Sequence, residues 1–170
     1  GSLLANEIHP RRAWELAENL ERWGARNAAI TNERPERLAE RLGAIFDKVL
    51  LDAPCSGEGM FRKSEAARQA WSPALVESCA RRQTALLEQA GGLVRPGGLL
   101  LYTTCTFSPE ENEGVIARFL KTHPEFELRQ ISQQSGFAAG YSDWSYGNER
   151  FSAGSHLGQA VRLWPQRLRG

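Results

Sequence analysis

Three cysteines and a few acids carry most of the reactive chemistry open to this chain. Cys55 follows Pro54 in D-A-P-C-S-G-E-G, Cys105 sits inside T-T-C-T, and Cys79 lies between them. An odd number of widely spaced cysteines without a C-x-x-C pair argues against a disulfide framework and against a zinc site. Each thiol is then either a small buried apolar group, the commoner state of a free cysteine, or a nucleophile. Cys79 falls on the inward face of a helix and takes the first role. Cys55 and Cys105 stand just past strands, inside patterned segments that could present a nucleophile. Glu7 and Asp52 are acids that end strands, where a carboxylate can grip a ligand.

The elements that must hold these groups are read from periodicity and punctuation. Residues 3–7 form a short, buried-looking strand. Pro10 opens a helix with Ala13, Leu16, Ala17, Leu20 and Trp23 on one face, and Gly24 stops it. Ala28–Thr31 is a second strand, and Pro35–Leu42 a short helix closed by Gly43. Residues 46–51 are a strand apolar enough to be buried on both faces, ending at Asp52. Ser72 and Pro73 cap and open a helix that turns Leu75, Val76, Cys79, Leu86, Leu87 and Ala90 inward. Pro96-Gly97-Gly98 turns the chain into a buried strand at 99–103. The run S-P-E-E at 108–111 reads as a capping box, Ser108 at the N-cap and Glu111 three residues on. Its helix buries Val115, Ile116, Phe119 and Leu120. Residues 126–131 read as a strand, 132–157 as a loop-rich insertion with little regular structure, and 160–164 as a last strand. Trp14, Trp23 and Trp71 are expected in the core or between helices.

Strands alternating with helices imply an α/β fold with a mostly parallel sheet covered on both faces. Ligands of such sheets bind at the carboxyl ends of the strands. Glu7, Asn32, Asp52 and Thr104–Thr106 would converge there on one rim. The 170 residues suffice for one domain with a real core. The net charge of +1 is low for a surface gripping many phosphates, so any main nucleic-acid anchor is expected elsewhere. Neither a run of about 20 apolar residues nor a signal-peptide pattern is found. The cysteine usage fits a reducing, cytoplasmic setting.

L-L-D-A-P-C-S-G-E-G-M-F-R-K at 50–63 and L-Y-T-T-C-T-F-S-P-E-E-N-E at 101–113 resemble the RNA 5-methylcytosine methyltransferases. The bacterial small-subunit ribosomal RNA branch is the most similar. The match extends through N-E-I-H-P-R-R at 6–12, Trp71 and the R-P-G-G turn. The resemblance implies a Rossmann-like, S-adenosylmethionine-dependent methyltransferase fold, with residues 1–170 as a single catalytic core. It implies methylation of carbon 5 of a cytosine in RNA, ribosomal RNA being the expected partner, with neither metal nor membrane involved. Cytosine carbon 5 is not nucleophilic; a thiolate adding to carbon 6 makes it so, and a base must later remove its proton.

By the same resemblance Cys105 is the nucleophile and Cys55 assists release of the product. Asp52 sits between cofactor and cytosine and holds the base at N3. Glu7 grips the ribose hydroxyls of S-adenosylmethionine, with Arg12 and Pro54 alongside the cofactor. Asn32 stands where the family has an aspartate for the adenine end. Arg62 and Lys63 would face phosphate; apart from the resemblance, Trp144 and Tyr146, aromatics in the polar loop, are the candidates for base stacking. DNA cytosine methyltransferases use the Pro-Cys cysteine as nucleophile; the T-C-T cysteine marks the RNA branch. Alternatives are a transfer-RNA cytosine methyltransferase with the same core, or an inactive RNA-binding or scaffolding fragment.

The sequence also departs from the family. The first central strand and its glycine-rich cofactor loop are not found, and the chain reads as starting at the second strand. The fold is therefore expected to be incomplete and the chain a fragment, binding S-adenosylmethionine weakly and methylating nothing by itself.

Overall fold

The computed structural model describes residues 1–132, 134–142, 144–146, 149–151 and 156–167, giving the backbone alone for 144–146 and 149–151. The fold is a partial Rossmann-like α/β fold. It divides into two compact units, Gly1–Val49 with Gln89–Leu101, and Leu50–Glu88 with Tyr102–Gly170.

In the first unit β1 (Leu3–Asn6) pairs in parallel with β2 (Ala28–Thr31), in register from Leu3 opposite Ala28 to Asn6 opposite Thr31. Helix α1 (Pro10–Arg22) joins them. Pro10 opens it because a first-turn residue needs no amide donor and proline's φ is already helical. Helix α2 (Pro35–Leu42) begins on Pro35 by the same logic and stops at Gly43. Strand β3 (Phe46–Asp52) pairs with β4 (Val94–Thr103), and both contribute residues to each unit. The Pro-Gly-Gly run lies inside β4. A Cβ on Gly98 would come within 2.7 Å of the Val94 side chain and 3.0 Å of the Asp47 carbonyl, so only glycine fits that close approach.

Several expectations are corrected here. The described strands β1 to β4 form two separate pairs, not one parallel sheet. Neither β3 nor 99–103 is buried on both faces: Leu50 is 65% exposed and Leu101 48%. Leu3 of β1 is exposed, no residue of α1 is buried, and Trp14 and Trp23 lie open to solvent instead of in a core. Periodicity reports which side chains seek cover; the described residues supply no layer over these.

The second unit holds a denser core. The remainder of β3 leads into a 3-10 turn (Glu58–Met60), α3 (Glu65–Ala70) and α4 (Pro73–Gly91). Ser72 caps α4, its hydroxyl accepting from the Leu75 amide at 3.1 Å. Val76, Cys79, Leu87 and Ala90 are buried along one stripe of the helix, as the spacing predicts, with Ala80 beside them, while Leu75 and Leu86 are half-buried. Helix α5 (Glu113–Thr122) buries Val115 and Phe119. Beyond it β5 (Phe137–Ala139) pairs antiparallel with β8 (Val161–Leu163), and β6 (Trp144–Tyr146) with β7 (Glu149–Phe151). The expected loop at 132–157 thus carries three short strands. Residues 126–131 form no strand; Phe126 folds back onto Phe119 with ring centroids 5.1 Å apart, satisfying its burial locally. The capping box at 108–111 does not form either. The helix starts at Glu113, and Glu111 is drawn away into a buried network. Among the described residues no helix is long and apolar enough to cross a membrane.

Candidate active site

Two loops leave the ends of β3 and β4 side by side. The Ala53 amide donates to the Thr103 carbonyl at 2.9 Å, and the chain on either side then runs into P-C-S-G and T-C-T. Both cysteines are free, and their sulfurs lie 3.2 Å apart. Cys105 is exposed and Cys55 half-buried. Burial, with the Cys105 sulfur beside it, pushes the Cys55 thiol up to about 12, so near neutral pH it stays protonated. Cys79 is buried on α4, where desolvation and the nearby Glu111 raise its thiol too. Asp52, at the end of β3, accepts from the Thr103 hydroxyl at 3.2 Å through Oδ1.

The turn around Cys105 is held from several directions. The Gly59 amide donates to the Cys105 carbonyl at 2.8 Å, and a Cβ at Gly59 would lie 2.7 Å from that oxygen. Glu58 accepts from the Phe107 amide at 2.9 Å and from the Trp71 indole at 3.1 Å. The Ser56 and Thr106 hydroxyls share a buried hydrogen bond of 2.9 Å that ties one loop to the other. Asn112 closes the turn: Oδ1 accepts from the Thr104 hydroxyl at 2.7 Å, and Nδ2 donates to the carbonyls of Thr106 and Ser108. Behind Phe107, Arg162 of β8 donates to its carbonyl at 2.8 Å and forms a buried, two-point ion pair with Glu113. Phe107 stacks on Trp164 with centroids 5.1 Å apart. These two rings, with Gly59 and Arg62, line a cleft of about 470 Å³.

A second cluster lies in the first unit. Glu7, just past β1, accepts from the His9 amide at 2.8 Å and from Arg12 at 2.7 Å through one carboxylate oxygen. Partial burial acts to raise its pKa, but the His9 amide and the Arg12 guanidinium outweigh this and hold it below the usual value. Asn32, just past β2, donates to the Glu7 carbonyl at 2.6 Å, so its amide nitrogen braces β1. The structure therefore gathers Cys55, Cys105 and Asp52 in one unit and Glu7, Arg12 and Asn32 in the other. Pro54 accepts through its carbonyl from Gln83, and Arg62 and Lys63 are exposed. The side chains of Trp144 and Tyr146 fall outside the described residues. Among those residues, no group of His, Cys, Asp and Glu is placed to hold a metal ion.

Sequence reasoning missed Glu58, Gln83, Glu111, Asn112 and Arg162. Gln83 left a signal, being a polar residue on the apolar stripe of α4. Glu111 reads locally as the last residue of the S-P-E-E cap, which hides its distant partners. Arg162 left none.

Comparison with known proteins places these features in a family. Ribosomal RNA small subunit methyltransferase F of Escherichia fergusonii is 42% identical over 125 residues, covering 74% of this chain and 26% of the relative. The protein of the same name from Erwinia tasmaniensis is also 42% identical over the same coverage. The chain thus spans about a quarter of the length of the curated relatives it matches. Among solved structures, a methyltransferase homolog protein from Pyrococcus horikoshii superposes with a TM-score of 0.72 at 29% identity, covering 97% of this chain and 48% of that one. NSun6 from Pyrococcus horikoshii, crystallised with SFG, gives 0.70 at 27% identity, covering 98% of this chain and 38% of that one. The family model for the 16S rRNA methyltransferases RsmB/F matches residues 1–169, and the chain belongs to that family of RNA cytosine-C5 methyltransferases.

Proposed function

We propose that the protein methylates carbon 5 of a cytosine in small-subunit ribosomal RNA through a covalent adduct between Cys105 and carbon 6 of the base. The observation that carries this reading is the pair of free thiols 3.2 Å apart, one exposed and one held protonated. S-adenosylmethionine, when bound, supplies a methyl group made electrophilic by its sulfonium. The names of the relatives support the RNA substrate, and SFG, an S-adenosylmethionine analogue bound to NSun6, supports the donor.

The residues past β1 fit the ribose end of that donor. Glu7 spends one oxygen on His9 and Arg12 and is held anionic, as a carboxylate accepting from a diol must be. Asn32 acts here by fixing the Glu7 backbone. Asp52, oriented by Thr103, shares a proton with N3 of the cytosine, an acceptor with no hydrogen of its own. Cys105, as the thiolate, adds to carbon 6 while N3 takes the proton it shares with Asp52, and the electron pair displaced toward carbon 5 takes up the methyl group. A base then removes the carbon 5 proton, the S–C6 bond breaks, and its electrons return to Cys105. Cys55, a thiol at that moment, hydrogen-bonds the departing sulfur and assists release. The target cytosine must leave its stack to enter such a site. Exposed Arg62 and Lys63 contact the RNA backbone.

The test is covalent trapping of the complete protein with S-adenosylmethionine and 16S RNA carrying 5-fluorocytosine, whose fluorine cannot leave as a proton does. A denaturation-resistant adduct that disappears in Cys105→Ala is expected. Loss of the adduct in Cys55→Ala alone would reverse the two roles. Equal trapping on transfer RNA would redirect the substrate assignment.

A further inference from the structure

Two buried polar side chains beneath the active-site loops have no role in the chemistry above. Gln83 of α4 and Glu111 of the T-C-T segment are both fully buried. Glu111 Oε2 accepts from the Ser56 amide at 2.9 Å and from Gln83 Nε2 at 2.8 Å. The same Gln83 nitrogen donates to the Pro54 carbonyl at 2.9 Å. The backbone groups on both sides of Cys55 are thereby held, the carbonyl before it by Gln83 and the amide after it by Glu111. Glu111 is itself anchored to β4, its carbonyl accepting from the Tyr102 hydroxyl at 2.7 Å.

This arrangement is costly to the fold. Gln83 Oε1 and Glu111 Oε1 are buried with no hydrogen-bond partner among the described residues. Each such acceptor destabilises the fold relative to a satisfied or apolar replacement. Packing alone would favour a leucine on the apolar stripe of α4. What the pair provides is geometry: Gln83 holds the Pro54 carbonyl and Glu111 the Ser56 amide, which fixes the backbone on both sides of Cys55.

We propose that Glu111 and Gln83 are positioning residues for Cys55, setting its sulfur against Cys105 for the release step. The inference rests on the assignment of the two thiols given above. It separates two stages of the reaction: adduct formation needs Cys105 and Asp52, whereas breaking the S–C6 bond needs Cys55 in register. Loss of the brace should therefore spare the first and slow the second.

The experiment uses the complete protein, 16S RNA and labelled S-adenosylmethionine, with first-turnover methylation and steady-state turnover measured in parallel. Glu111→Ala and Gln83→Leu should reduce steady-state turnover by about tenfold or more, the first turnover changing far less. Methylated RNA should then accumulate as a denaturation-resistant complex, as in Cys55→Ala. Glu111→Gln keeps one acceptor oxygen for both donors and should restore release. Thermal unfolding identifies folded variants; if Glu111→Ala fails to fold, Gln83→Leu decides alone. Wild-type release in a folded brace variant, or parallel loss of both stages, overturns the proposal. A Cys55→Ala enzyme that accumulates no complex would overturn it too, by removing the thiol assignment on which it stands. A Cys105→Ala enzyme that still forms the complex would instead refute the proposed nucleophile.

Discussion

Replacing Gly59 by alanine tests how tightly the Cys105 turn is built. The new Cβ would sit 2.7 Å from the Cys105 carbonyl oxygen, whereas ordinary contact begins at 3.4 Å, so about 0.7 Å (3.4 − 2.7) must be found. The neighbour is backbone, so the Cys105 peptide and the 58–60 turn must part. That strains the 2.8 Å bond from the Gly59 amide to the same oxygen. Losing that bond costs about 1 kcal/mol, and overpacking a tight contact a further ~1–3 kcal/mol. A total of roughly 2–4 kcal/mol is expected, read from urea unfolding of the complete protein. The chemical effect should be larger than the loss of stability implies. A displacement approaching 1 Å at a reacting group can slow its step by about 100-fold. The first-turnover rate of adduct formation on fluorinated RNA should fall by that order in protein that remains folded. Wild-type trapping by Gly59→Ala would refute the claim that this carbonyl contact sets the thiol's position.

Arg162→Met should destabilise by about 3–5 kcal/mol, because it leaves Glu113, 2% exposed, as an unpaired buried charge. Adding Glu113→Leu to it should recover much of that loss in the same urea titration; no recovery would show that the ion pair is not the cause. The Cys55 thiol gives a pH signature. With its folded pKa raised to about 12 from 9.0, it is protonated in both states below pH 9, so its contribution there is full and does not vary with pH. Above pH 9 the unfolded chain ionises and the folded one does not, so its contribution is lost as pH climbs toward 12. The melting temperature should fall more steeply over pH 9–11 in the wild type than in Cys55→Ala. Burial keeps Cys55 protonated while Cys105 is exposed, so iodoacetamide should modify Cys55 after Cys105; mass spectrometry showing the reverse order would contradict the burial argument.

Pro10, Pro35 and Ser72 start helices where expected because each acts through its own backbone geometry or one short hydrogen bond. The apolar stripe of α4 was equally clear, since a nineteen-residue helix shows its period several times over. Demands that depend on a distant partner were less legible. Leu50 and Leu101 announce a wish for burial that the described residues leave unmet. Glu111 looks like a helix cap from its neighbours, yet its partners are Ser56 and Gln83, 55 and 28 residues away. In the same way, Cys55 and Cys105 could be named from their motifs, but their 3.2 Å approach belongs to the fold alone.

The anchoring of Phe107 by Arg162 also sets an order of events during synthesis. Residue 162 follows 107 by 55 positions, and the Glu113 partner by 49. A ribosome adding about 5–20 residues per second takes roughly 3–11 s to cover that gap. Throughout this interval the Cys105 turn can meet Cys55, already made, but not the strand that locks it from behind. The latch behind the thiol pair is thus the part completed late in the birth of the chain, and its reactive loop passes those seconds unlatched.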